Sequence, residues 1–458
     1  MNRRDFIGVS SAGAAMWLES ACRPSAEKKQ TEQPNTLGAT AQIADGPLHA
    51  LLPTDEFKLE TFSPAELRQI EKQYVYDLFQ DFLPFMEKHI IDRELGGFMC
   101  TVDRDGTNLS TDKYTWYEGR GMWVYSFLYQ NLDPDPKYLE VARKSAEFML
   151  RNKPSGDGLY VSWFTREGKP KGAADNRIYG DMFVAAGLAE YARAAKDDGL
   201  WKTAKEIVLK CVRIYDRPDY WPEAAQSYLG KEAPLTPGAR VIGPWFVLLN
   251  TCSGMLEYKN DAELLAVADR CLDAIMNYHF NPEFELFNEI INHDLSRPTN
   301  GLEQFVYTGH AIETLWMVMA EALRRKDRPL FELAARRFKR HVEVAWDGVY
   351  GGVFRSLNDV DKNVWLLDKV LWAQEEVLIG SLMVSEQTGW KWAKDLFIKM
   401  YNYVHDKWPL AKHGFALWDY GADRKATFIP KGARAENYHH PRHLMLNLLA
   451  TRRMLSNR

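Results

Sequence analysis

Apolar residues recur at helical spacing along most of the chain. Leu139, Ala142, Ala146 and Met149 mark one such face, and Leu264, Ala268, Cys271 and Ile275 another, with charged residues between them. This is the pattern of helices lying on a core. Read throughout, it predicts about twelve helices, over 63–90, 115–132, 136–152, 175–196, 199–217, 240–259, 261–280, 308–325, 327–347, 368–388, 390–408 and 437–455. A short Gly or aromatic segment returns between helix pairs: Glu94-Leu-Gly-Gly-Phe98, Gly156-Asp-Gly-Leu-Tyr160, Glu283-Phe-Glu-Leu-Phe287, Tyr350-Gly-Gly-Val-Phe354 and His413-Gly-Phe-Ala-Leu417. Copies stand roughly 60 residues apart, and a degenerate copy around Tyr220-Trp221 fills the one double interval. Turn signals such as Asp103-Arg-Asp-Gly106 make them β-hairpins. A repeat of this length with two helices per unit is a stacked or closed helical array. An open solenoid is one solution, but six units can close on themselves. The fold expected is all-α, an (α/α)6 barrel with short β-hairpin loops at one rim.

The helix after each hairpin is rich in aromatics and small residues, as in Trp116 to Tyr129, and the next carries surface charge, as in Arg336-Arg337-Phe-Lys339-Arg340. The first kind is inner, the second outer. If every hairpin sits at one rim, the inner helices all begin there, and polar groups at their starts converge on one pocket. Those groups are Trp116, Glu118 and Arg120; Arg177, Tyr179 and Asp181; His310 and Glu313; Lys369, Trp372, Gln374 and Glu376; and Tyr438, His439, His440 and Arg442. The third inner helix opens instead with Pro244-Trp245-Phe246. His310 and Glu313, three apart, share a helical face, so the carboxylate can orient the imidazole. The sequence has no HExxH motif, and no metal is expected.

Composition narrows the partners. The 58 basic and 62 acidic residues give a net charge of -4 without a long basic run, which argues against nucleic acid. The 15 Trp and 21 Tyr suit sugar rings, although core packing is their usual use. Residues 1–22 read as a twin-arginine export signal: Arg3-Arg4 stands before a mildly apolar stretch rich in Gly, Ala and Ser. Cys22 follows Leu18-Glu-Ser-Ala21 and offers a lipid-anchor site, so the expected location is periplasmic, with or without a membrane anchor. Residues 23–50 read as a flexible tether and 51–458 as the barrel. Cys211, Cys252 and Cys271 fall in apolar helical patterns and read as core thiols.

Four motifs in order carry a resemblance. Lys113-x-x-Trp116-x-x-x-Arg120-x-x-Trp123, Gly309-His-Ala-Ile-Glu313-x-x-Trp316, Lys369-x-x-Trp372-x-Gln374-x-Glu376 and Tyr438-His439-x-x-Arg442 are similar to motifs of the N-acylglucosamine 2-epimerase family. The resemblance implies a cofactor-free epimerase or isomerase acting on a small carbohydrate. One histidine takes the proton at C2, an enediolate forms, and a second histidine returns a proton. His310 and His439 would be that pair, with Arg120 at the oxyanion. Tyr179, Glu313, Trp372 and Gln374 would hold the sugar. Pro244-Trp245 resembles the N-acylglucosamine branch more than the cellobiose branch. Arg434 stands where the family often has Trp, and a guanidinium there would suit polar or anionic sugars.

Two other classes share the fold. A glycoside hydrolase needs paired carboxylates across the bond, for which Asp181 and Glu313 are candidates. A glycan-binding lipoprotein needs no catalytic groups.

Overall fold

The computed structural model describes residues 57–103, 105–174, 177–220, 224–409, 433–434 and 437–456. The residues expected to form an export segment and a tether, and the hairpin copy expected at 413–417, lie outside these residues.

Twelve long helices are present among the described residues. They are α1 (Pro64–Tyr76, carried on to Ile90 by wider turns), α2 (Thr115–Asn131), α3 (Pro136–Arg151), α4 (Tyr179–Ala195), α5 (Asp198–Tyr215) and α6 (Ile242–Tyr258). The chain continues through α7 (Ala262–Asp273), α8 (Thr308–Arg325), α9 (Arg328–Ala345), α10 (Leu371–Thr388), α11 (Lys391–Lys407) and α12 (His439–Ser456). A short helix, Ala224–Leu229, lies in the third connection. The even-numbered helices pack in a ring, α2 on α4, α4 on α6, α6 on α8, α8 on α10, α10 on α12, and α12 back on α2. Each odd-numbered helix from α3 to α11 covers the inner helix before it, and α1 covers α12. The barrel is therefore closed by the first helix meeting the last.

Inner and outer helices begin differently. Asp135, Asp197, Asp261 and Asp327 each accept backbone N–H groups at the start of an outer helix, and Ser63 does so for α1. Each such cap is worth about 0.5–2 kcal/mol. The inner helices α2, α4, α6, α8 and α10 have no side-chain cap. Their positive dipole ends face the hairpin rim, and rim carbonyls take some of their first N–H groups, as Glu289 does for Ile242 and Arg355 for Gly309.

The tightest inner contact is between α2 and α4. A Cβ on Gly119 would lie 2.2 Å from the Phe183 carbonyl oxygen, and one on Gly187 would lie 2.4 Å from that of Gly119. Only glycine permits this approach.

The hairpins are held by a recurring fastener. The N–H of Phe98 donates to Glu118 (2.8 Å), that of Tyr160 to Asp181 (3.0 Å), that of Phe287 to His341 (2.9 Å) and that of Val353 to Gln374 (2.8 Å). Three of these units add a lysine. Lys113 donates to the Gly96 carbonyl (2.5 Å), Lys210 to Gly158 (2.9 Å) and Lys369 to Gly351 (2.6 Å). The same amines pair with Asp92, Asp181 and Asp347. Gly96 and Gly351, both at φ +82°, make the turns that present those carbonyls. Buried charge is thus spent on fixing the rim, with each ion paired and hydrogen-bonded.

The four described cysteines from Cys100 to Cys271 are buried free thiols.

Candidate active site

The starts of α2, α8, α10 and α12 bring their polar side chains to one mouth. Thr308 opens α8 and donates to the Phe354 carbonyl (2.6 Å). Gly309 lets Trp372 close in, since a Cβ there would meet the indole at 2.6 Å. The Trp372 ring then lies 5.8 Å from the His310 ring and 5.4 Å from the His439 ring, centre to centre. The two predicted histidines, far apart in sequence, both pack against one tryptophan.

Each imidazole is backed by a carboxylate. His310 Nδ1 lies 2.8 Å from Glu289 Oε1, and His439 Nδ1 lies 2.8 Å from Glu376 Oε1. A carboxylate only accepts, so Nδ1 carries the hydrogen and Nε2 is left as the atom that exchanges protons. Burial acts to lower the His310 pKa, but the Glu289 carboxylate outweighs it and the net displacement is upward. Aromatic rings wall this side: Tyr307 at 4.2 Å, Phe246 at 5.6 Å and Tyr228 at 5.9 Å from the His310 ring.

The His439 side is more heavily charged. Glu376 also accepts from Trp316 Nε1 (2.5 Å) and from Arg442 Nη2 (2.5 Å). Arg442 bridges on to Glu313 (2.7 Å), whose carboxylate is 3.9 Å from His439 Nδ1. Across the ring, Arg120 Nη2 lies 3.4 Å from His439 Nε2. Arg120 is held by three rings, its guanidinium carbon 4.6 Å from Trp116, 4.3 Å from Phe183 and 4.8 Å from Tyr438.

The remaining predicted residues fall in different places. Tyr179 stacks on Trp116 (5.7 Å, 16°) and lines a cleft with Tyr114 and Arg177 beside the mouth. Glu313 is in the site but serves Arg442; the carboxylate that orients His310 is Glu289, not Glu313 as the shared helical face had suggested. Gln374 gives its whole amide to backbone, accepting from Val353 N–H and donating to the carbonyls of Val353 (2.9 Å) and Val370 (3.2 Å). It is the fifth unit's counterpart of Glu118, a fastener of the hairpin. Arg434 pairs through its backbone with Thr101, and its side chain lies outside the described residues. Asp181 is tied to Lys210 and Tyr160, so the carboxylate pair a hydrolase would need is not assembled.

Sequence reasoning missed Glu289. It lies between the strand segments Leu286–Phe287 and Ile290–Ile291, outside any helical motif. Its backbone bonds to both Ile242 and Phe305, which fixes the carboxylate under His310. A polar Asn288-Glu289 pair inside an apolar strand run was the available signal.

Two groups of three donors lie close enough to hold a cation, Glu313 with Glu376 and His439, and Glu375 with His440 and His443. In the first the positive charge is supplied by Arg442, and in the second by His440, whose pKa the Glu375 carboxylate raises against the effect of burial.

A closed (α/α)6 barrel with polar and aromatic side chains gathered at its hairpin mouth places the molecule among helical-barrel proteins that act on sugars. The chain belongs to the N-acylglucosamine 2-epimerase family, whose model matches residues 96–440. It is 26% identical over 391 residues to N-acylglucosamine 2-epimerase of Bos taurus, covering 80% of this chain and 89% of that one. Its fold superimposes on cellobiose 2-epimerase of Spirochaeta thermophila with a TM-score of 0.69 at 19% identity, covering 85% of this chain and 98% of that one. The match to a D-mannose isomerase has a TM-score of 0.63 at 16% identity, covering 89% and 100%. Sugar epimerisation or isomerisation is therefore the activity class.

Proposed function

We propose that the protein inverts C2 of a free 2-acylamino sugar through an enolate, with His310 and His439 as the two proton-exchanging groups. The observation that carries this is the pair of carboxylate-backed imidazoles that both pack against Trp372. In the open-chain sugar the C1 carbonyl acidifies the C2 hydrogen. One imidazole Nε2 takes that proton, and the electron pair moves onto O1. The other imidazole delivers its proton to the opposite face of C2, O1 returns to the carbonyl, and the epimer results. Arg120, held rigidly beside His439, is placed for the oxyanion, where a preorganised donor needs no rearrangement as charge develops. The carbonyl of the substrate itself supplies the acidity, so the sequence of steps needs no cofactor.

The acylamino choice rests on the wall around His310. Phe246, Tyr228 and Tyr307 offer apolar surface to an acyl methyl group, and Pro244-Trp245 opens the third inner helix without charge. The Bos taurus relative is named for that substrate class. The test is a panel of free sugars incubated with the enzyme in heavy water. Deuterium at C2 of an N-acylhexosamine, with appearance of its epimer, is the expected result. No C2 exchange in any sugar of the panel would overturn the reading.

A further inference from the structure

A second carboxylate–histidine bridge lies one residue behind the first. Glu375 and Glu376 are consecutive on α10, and His439 and His440 are consecutive at the start of α12. Glu376 meets His439 at 2.8 Å on the bore side, and Glu375 Oε1 meets His440 Nδ1 at 2.5 Å. The second bridge faces the outer layer. The His440 ring packs edge-on to Phe82 at 5.8 Å, in the continuation of α1, and His443 lies edge-on to Tyr74 at 5.4 Å. Glu375, His440 and His443 are all buried.

This bridge is an ion pair. Burial works against its charges, but His440 and then His443 hold the Glu375 carboxyl down at about 2. Glu375 outweighs burial at His440 and keeps that imidazole above its ordinary pKa, with Asp77 and Asp81 of the α1 segment adding to the effect. His443, 3.6 Å from Glu375, is pushed down by burial and stays neutral. Two bridges between the same two helices, one residue apart and on opposite sides, fix both the rotation and the register of α12 on α10. His439 is the first residue of α12 and has no helical turn before it to hold it.

We propose that Glu375 and His440 are positioning residues for proton transfer: their ion pair clamps the first turn of α12 and sets where the His439 imidazole meets the substrate. This rests on His439 being a reacting group. Displacing such a group by about 1 Å can cost on the order of 100-fold in rate.

The test uses His440→Leu, which removes the bridge, and His440→Asn, which keeps a donor near the Nδ1 position. His443→Leu is the comparison, equally buried but the weaker of the two Glu375 contacts, at 3.6 Å against 2.5 Å for His440. Two readouts are followed: the kcat/KM split on the epimerised sugar, and the downfield Nδ1–H signal of His439 in histidine-labelled protein, assigned by its loss in His439→Asn. The expectation for His440→Leu is a kcat about ten- to a hundredfold lower with KM unchanged, together with a shifted or broadened His439 signal. His440→Asn should stay near wild type, and His443→Leu should lower Tm with kcat and the signal retained. An unmoved His439 signal in His440→Leu, or equal damage in Leu and Asn variants, overturns the proposal. Should His440→Leu fail to fold, Glu375→Ala makes the same test, because the unpaired imidazole can shed its proton. The spectroscopic result stands apart from activity. If His439→Asn remains fully active, the two-histidine reading fails while the clamp is still judged by the signal.

Discussion

Arg120 Nη2 reaches His439 Nε2 at 3.4 Å from within a cage of three aromatic rings. Nδ1 donates to Glu376, so Nε2 is the lone-pair nitrogen that accepts from the Arg120 guanidinium. The resting arrangement thus presents His439 as a base, with a cation already in place for the charge its action creates. Replacing Arg120 by Met should lower kcat by about 100-fold or more, the usual worth of one oxyanion donor. Arg120→Lys should rescue little, because an ammonium lacks the planar face that packs against Trp116, Phe183 and Tyr438. Steady-state rates of both variants check this; a Lys variant at wild-type rate would mean the planar cage is irrelevant.

Gln374 shows how a motif can mislead about a single residue. It stands two positions from Trp372 and two from Glu376, and residues two apart on a helix do not share a face. Trp372 and Glu376, four apart, both look into the bore; Gln374 looks back at the hairpin. Gln374→Ala should therefore lower stability by about 1–3 kcal/mol through the unsatisfied Val353 backbone, and leave KM for the sugar unchanged. Denaturant melts alongside steady-state kinetics decide it. A raised KM with unchanged stability would return Gln374 to the binding site.

The same comparison explains what was legible. Helix positions followed from apolar period and from Asp caps such as Asp197 and Asp261, which mark helix starts chemically. The hairpins followed from glycines such as Gly96 and Gly351 that sit at positive φ. His310, His439 and Arg120 followed from the order of the four motifs and not from charge at inner-helix starts alone, since Glu118, Asp181 and Lys369 stand there too and fasten the hairpins. Glu289 did not, because a carboxylate in a two-residue strand connection carries no periodic signal. Glu313 was assigned to His310 from helical spacing alone, whereas Arg442, reaching across from α12, claims it.

Glu289 gives a pH prediction. In the wild type its carboxylate raises the His310 pKa over the opposing effect of burial. In Glu289→Gln burial, which lowers it, is opposed only by the smaller effect of Glu313. The ionisation assigned to His310 in the pH–rate profile should move to lower pH. The sign for stability follows. A histidine with a raised folded pKa contributes stability below its unfolded value, and this is lost as pH rises through the folded pKa. Glu289→Gln should therefore lose stability mainly on the acid side of neutrality. Titration of the His310 ring by NMR in both proteins checks the direction, and an upward displacement in the variant would contradict it.

The two histidines predict different partial reactions when one is removed. His310→Asn or His439→Asn should each lower epimerisation by about 10² to 10⁴, the range for general acid–base catalysis. Each variant keeps the other imidazole, with its own carboxylate intact, since Glu289 and Glu376 are separate partners. The remaining imidazole can still remove and return the C2 proton of the one epimer whose hydrogen faces it. In heavy water, each variant should exchange C2 of a single epimer without inverting it, and the two variants should choose opposite epimers. Wild type should exchange both while interconverting them. Mass spectrometry of recovered sugars reads this directly. If both variants exchange the same epimer, a single base serves both faces of C2, and the second histidine has another task.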